Sequence, residues 1–152
     1  MRKQSIQLSP LLGPVSLQLN LPMKAFSVNQ VSTRDVRFKT GAYKAWASEF
    51  LYRISEYDFS ELQQAYEKHR GVLSVHIVAI YPEQIYYNSF GKISSKTFDV
   101  SNIEKPILDL LFNTSLGIDD RNVEWMTSRK CSGSDFALDI RIQFVPPDQD
   151  CL

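Results

Sequence analysis

Phe136, Leu138, Ile140, Ile142 and Phe144 alternate with Ala137, Asp139, Arg141 and Gln143. A strict period of two sends the apolar side chains to one face of a strand and the polar ones to the other. No helix satisfies that pattern, so the chain must build a sheet with one face turned to a core. Val15, Leu17, Leu19 and Leu21 repeat it against Ser16, Gln18 and Asn20, and Pro22 ends that strand. "VLSVHIVAIY", from Val72, is a continuous β-branched run of the kind buried on both faces, and Pro82 closes it. "IYYNSF" reads as a short further strand. "VEWMTSRK" precedes the period-two run and is joined to it by "CSGS", which predicts a C-terminal hairpin.

Helices fall between these strands. Tyr43, Trp46, Ala47, Phe50, Leu51 and Ile54 recur at helical spacing. Asp58 with Glu61 predicts the capped start of a second helix. Ile103, Ile107, Leu110 and Leu111 predict a third over residues 103–112. The order is strand, helix, strands, helix, hairpin: an α+β fold, with helices packed on a mixed sheet. A chain of 152 residues suits one domain. It is expected over residues 1–145, with residues 146–152 as a flexible tail.

Composition narrows the function classes. Formal net charge is zero, so any nucleic-acid footprint must be local. No apolar run approaches the roughly 18–20 residues that span a bilayer, so no membrane partner is expected. The leucines near the start are broken by Ser9, Pro10, Gly13 and Pro14, unlike a signal peptide. Cys131 and Cys151 are therefore expected as free thiols in a cytoplasmic protein. His69 and His76 have no Cys/His cluster around them, which argues against structural zinc.

One stretch gathers polar groups around a helix: "FDVSNIEKPILDLLFNTSLGIDDRNVEW", residues 98–125. Asp99 and Asn102 stand before the helix, Lys105 and Asp109 lie on it, and Asp119 and Asp120 follow it. Part of this polarity can serve the helix itself. Ser101 and Glu104 match a capping box, although Pro106 would move the start later, with Asn102 as cap. Taken together, Asn102, Lys105 and Asp109 share one helix face, and Asp99 precedes it. Carboxylates, an amide and a lysine make an oxygen-rich site that suits Mg²⁺ or Mn²⁺. A metal there can generate hydroxide and stabilise the leaving oxygen of a phosphodiester.

"DVSNIEKPILDLL" followed by "GIDDRNV" resembles the signature of the RusA-type Holliday-junction resolvases. "FSVNQVSTRDVRFKTGAYKAW" is similar to that family's N-terminal segment, including Asn29. The resemblance implies a RusA-like fold and a Mg²⁺-dependent homodimer that nicks four-way junction DNA. It implies that Asp99 and Asp120 bind metal, with Asp119 beside them. It makes Lys105 the catalytic lysine and Asn102 the residue that orders the site, with Asp109 and Ser101 alongside. Ser101 departs from the pattern, which has a second carboxylate there. Water, Asp109, Asp119 or Glu104 could substitute, or the site is weakened.

A basic cluster supports a DNA face: Lys24, Arg34, Arg37, Lys39 and Lys44 against Asp35 alone, with Lys92 and Lys96 just before Asp99. Tyr43 and Trp46 are expected in the core rather than on bases. Two rival readings remain at this point. One is a DNA-structure-binding protein with a decayed site; the other is an interaction domain whose acidic turn only caps elements.

Overall fold

A computed structural model of the chain describes residues 7–27 and 41–147. Strand β1 (Ser9–Pro10) leads into β2 (Val15–Leu21). Helices α1 (Gly41–Ile54) and α2 (Ser60–Lys68) follow, then the short β3 (His69–Arg70) and the long β4 (Val72–Pro82). The turn α3 (Glu83–Tyr86) opens a long connection. Within it lie a 3₁₀ turn (Val100–Asn102), α4 (Glu104–Leu108), a π-helix (Asp109–Leu116) and a second 3₁₀ turn (Asp120–Asn122). Strands β5 (Val123–Gly133) and β6 (Ala137–Val145) complete the chain's regular structure. The fold is α+β, as the sequence predicts.

The main sheet has the order β2-β6-β4-β5. Strand β6 is antiparallel to both β2 and β4, while β5 runs parallel to β4. The two C-terminal strands therefore form a split pair rather than the expected hairpin, because β4 lies between them. Residues 134–136 cross the end of β4, a step of two strand spacings or about 10 Å. Gly133 makes the crossing possible: a Cβ there would lie 2.6 Å from Cγ2 of Ile80. This arrangement gives the most strongly patterned strand, β6, a hydrogen-bonded neighbour on each side.

The sheet buries one face. Leu19, Val75, Ile77, Leu138, Ile140, Ile142 and Phe144 all lie at or below 1% exposure, in one core with Phe50, Leu62, Ile107, Leu111 and Phe112. Strand β4 is not buried on both faces. Leu73, Val75, Ile77, Ala79 and Tyr81 are buried, whereas His76, Val78 and Ile80 on the other side are only half-buried. Around those three stand Trp125, Thr127, Arg129 and Arg141, all exposed. Tyr43 and Trp46 are core residues: Tyr43 meets Phe26 edge-on, Trp46 stacks on Phe50 and lies tilted against Phe26, and the Trp46 indole donates to the Lys24 carbonyl at 2.7 Å.

Two local expectations change. "IYYNSF" is not a strand: Ile85 and Tyr86 belong to α3, and Tyr87 makes an isolated bridge to Ile93. The helix over 103–112 starts at Glu104 and runs on to Leu116 through the π-helix. Pro106 then falls in the first turn, where its missing N–H costs no helix bond. The last wide turn is closed by a backbone i→i+5 bond from the Gly117 N–H to the Phe112 carbonyl at 2.8 Å, and the Ser115 side chain adds a bond from Oγ to the Leu110 carbonyl at 3.0 Å. Gly117 takes the left-handed conformation that ends the helix, at φ 67°.

Because β4 and β5 are parallel, the chain needs a long crossover between them, and helices make such crossovers. The polar stretch of residues 98–125 is the last part of that crossover and the first residues of β5.

Candidate functional site

The start of the polar stretch is fastened to β5. Ser128 and Lys130 sit on its inward face and are half-buried. Lys130 Nζ donates to Thr97 Oγ1 at 2.9 Å and to the Phe98 carbonyl at 3.2 Å. The Phe98 N–H donates to the Tyr81 hydroxyl at 3.3 Å, and the Thr97 hydroxyl to the Ser94 carbonyl at 2.9 Å. One residue further on, Asp99 has an extended backbone and its carbonyl accepts from the Asn102 N–H at 3.0 Å. Its carboxylate is exposed and caps nothing.

Ser101 is exposed and does not cap the helix, since α4 has Ile103 at its N-cap position. Asn102 is half-buried. The expected capping box is absent because Glu104 turns to the sheet: its Oε1 accepts from Ser128 Oγ at 2.5 Å. Lys105 and Asp109 do come together, with Nζ 3.3 Å from Oδ1, an i,i+4 pair on the exposed side of the helix. At the far end, Asp119 Oδ1 accepts from the Arg121 N–H at 3.0 Å, and Oδ2 lies 3.4 Å from Arg121 Nε. Asp120 opens the 3₁₀ turn into β5 and is half-buried.

The carboxylates thus sort into two groups. Glu104, Asp109 and Asp119, the three candidates to replace a carboxylate at position 101, each have a protein partner. Asp99 and Asp120 have no side-chain partner among the described residues. Among the described residues there is no group of three or more His, Cys, Asp or Glu side chains that could hold a metal ion. Two carboxylates with phosphate and water would still satisfy Mg²⁺, which takes few protein ligands and keeps several waters.

Of the basic residues, Lys44, Lys92 and Lys96 are exposed. Lys24 is exposed too, but its ammonium lies over the Phe136 ring at 4.4 Å from the centroid. Asn29, Arg34, Arg37 and Lys39 lie outside the described residues, as does Cys151; Cys131 is a half-buried free thiol. No helix among the described residues is long and apolar enough to cross a membrane.

Sequence reasoning missed Glu104 as a strand contact, and it missed Ser128, Lys130 and Tyr81. One signal was available: Met126, Ser128 and Lys130 share one face of β5, so two polar residues point inward at alternate positions. No protein-family model and no curated protein matches the chain.

Proposed function

We propose that this chain is a divalent-metal-dependent endonuclease that cuts branched DNA such as four-way junctions, acting as a dimer. The observation that carries the reading is the pairing pattern in the crossover. Between Asp99 and Asp120 the other acids, Glu104, Asp109 and Asp119, are engaged by protein donors, whereas Asp99 and Asp120, the two positions that the RusA-type resemblance assigns to metal, meet no donor among the described residues. Asp99 and Asp120 would hold Mg²⁺ or Mn²⁺, which supplies charge for a phosphodiester in-line displacement and an acidic water. Lys105, 71% exposed at its side chain, is long enough to leave Asp109 for a phosphate oxygen. Asn102 and Lys130 position the segment that presents Asp99. Lys92 and Lys96 add positive charge beside it.

A second reading has its own support. Ser101 offers a hydroxyl where the resemblance calls for a carboxylate, and the candidates to replace it, Glu104, Asp109 and Asp119, are engaged elsewhere. A protein that binds branched DNA without cutting it would look the same. Cleavage of a labelled mobile junction across a Mg²⁺ and Mn²⁺ titration separates the two. Metal-dependent nicking by the wild type that Asp120→Asn abolishes supports the nuclease. Binding without nicking supports the binder, and neither binding nor nicking leaves the interaction-domain reading.

A further inference from the structure

The connection from β4 to α4 carries a stiff tip whose apolar residue the proposed site does not use. Residues 84–98 hold two lysines, Lys92 and Lys96, and no acid. Tyr87 and Ile93 bridge as an antiparallel pair, and between them the chain turns over Ser89, Phe90 and Gly91. The Gly91 N–H donates to the Asn88 carbonyl at 3.0 Å, and the Asn88 N–H to the Lys92 carbonyl at 2.8 Å. The Asn88 side chain accepts from the N–H of Phe90 at 2.9 Å and of Lys92 at 3.1 Å. Gly91 takes the left-handed conformation, φ 72°, that closes a three-residue hairpin loop. The turn thus uses Asn88 and Gly91, but nothing in it requires a phenylalanine. Phe90 is nevertheless 86% exposed, and Tyr87 and Ile93 beside it are exposed as well. A single exposed apolar side chain is ordinary. One held out by a fastened turn, with only cations near it in sequence, calls for a partner.

The tip and the Asp99 segment hang from the same strand residue. The Tyr86 hydroxyl, at the foot of the turn, donates to the Lys130 carbonyl at 3.3 Å, while the Lys130 ammonium holds Thr97 and the Phe98 carbonyl. The Ser94 N–H donates to the Tyr86 carbonyl at 2.8 Å and closes the foot. We propose that Phe90 is a wedge that stacks on an unstacked base at the branch point of the DNA, with Lys92 and Lys96 on the flanking phosphates. A wedge of this kind presupposes that the chain acts on branched DNA, as proposed, and supplies the means to tell a branch from a plain duplex. Inserting an apolar side chain between stacked base pairs costs unstacking energy. At a branch point the stack is already broken, so the cost is least there. An aromatic face accepts any base, so the selectivity is for shape rather than sequence. The rigid turn helps, because a wedge ordered in advance loses little freedom on binding. A lipid surface suits the tip less: two lysines fall short of the basic clusters that hold proteins to anionic membranes.

The test compares the full chain as wild type, Phe90→Ala and Phe90→Trp by fluorescence anisotropy, on a labelled four-way junction and on a linear duplex of the same sequence. Circular dichroism checks folding, which an exposed position should leave unchanged. Wild type is expected to prefer the junction. Phe90→Ala should weaken junction binding by about tenfold to a hundredfold, the range of one base–aromatic stack, and leave duplex affinity within about twofold. Phe90→Trp should keep the preference. A fluorescent purine analogue beside the branch point should change its emission on binding wild type and not on binding Phe90→Ala. Equal junction binding by wild type and Phe90→Ala overturns the wedge and leaves the DNA reading intact. Equal losses on junction and duplex overturn it too, since the ring would then be a general contact. A wild type that binds neither DNA overturns the DNA reading and the wedge together. If that protein binds vesicles of phosphatidylcholine and phosphatidylserine through Phe90, the tip belongs to a membrane surface instead.

Discussion

The Lys130 ammonium donates to the Phe98 carbonyl at 3.2 Å and to the Thr97 hydroxyl at 2.9 Å, so β5 holds the residues that immediately precede Asp99. Hydrogen bonds to a charged group contribute about 1.5–3 kcal/mol each, less where water competes. Lys130→Met should therefore cost about 1–2 kcal/mol and lower Tm by roughly 3–6 °C. If the tie also positions Asp99, the metal concentration for half-maximal cleavage should rise as well. Thermal melts and a metal titration on the same variant check both. A fall in Tm with an unchanged metal requirement would make Lys130 merely structural.

Ser101→Asp should lower the metal concentration needed for cleavage, by adding a carboxylate beside Asp99. Position 101 is exposed and the hydroxyl caps nothing, so the fold should tolerate the change. Nicking of a labelled junction at low Mg²⁺ is the readout. An Asp variant no better than wild type would remove Ser101 from the site.

The Lys105–Asp109 pair makes a different prediction. Exposed i,i+4 pairs contribute only about 0.3–0.5 kcal/mol, so Asp109→Asn should move Tm by no more than about 1–2 °C. Lys105→Met should be equally mild for stability yet abolish cleavage. Equal activity in Lys105→Met and wild type would show that this lysine contacts no phosphate during the reaction.

Much of the fold was legible because period two and period 3.6 are imposed by burial. The strands of Leu19 and Ile140 and the helix of Trp46 and Phe50 stand where those periods predict. The split of the C-terminal strand pair was not legible, since a short polar loop such as 134–136 looks the same whether it turns back beside its own strand or steps over β4. In the candidate site, helical spacing puts Lys105 and Asp109 on one face, where they pair; the choice of Asp99, Lys105 and Asp120 rests on the resemblance. Residue type and spacing do not reach further. They do not tell that Glu104 bonds Ser128 on a strand, a contact made across 24 residues of sequence.

Salt should weaken junction binding steeply, because neutralised phosphates release counterions. Lys92→Glu/Lys96→Glu should reduce affinity and flatten the log–log salt slope by about 1–2, at about 0.9 per lost phosphate contact. Both lysines are exposed, so Tm should hardly change. Fluorescence anisotropy with a labelled junction across a salt series measures the slope. An unchanged slope would place the DNA elsewhere.

His76 gives the fold an acid limit. Burial first, and the Arg141 charge second, hold its pKa below the usual 6.5. The folded state therefore takes up its proton less readily than the unfolded chain. Its contribution to stability is complete above pH 6.5 and is lost as the pH falls from there through the lowered folded value. Urea unfolding from pH 7.5 to 5 should show that decline, and His76→Gln should flatten it. An equal decline in both proteins would assign it to other groups.

The most direct test of the account is a crystal soaked in Mn²⁺ and measured for anomalous scattering. One peak per chain is expected, bound by the carboxylates of Asp99 and Asp120 directly or through water, and lost in Asp120→Asn. An Mn²⁺ peak elsewhere, or none between those two side chains at a concentration that supports cleavage, would contradict it.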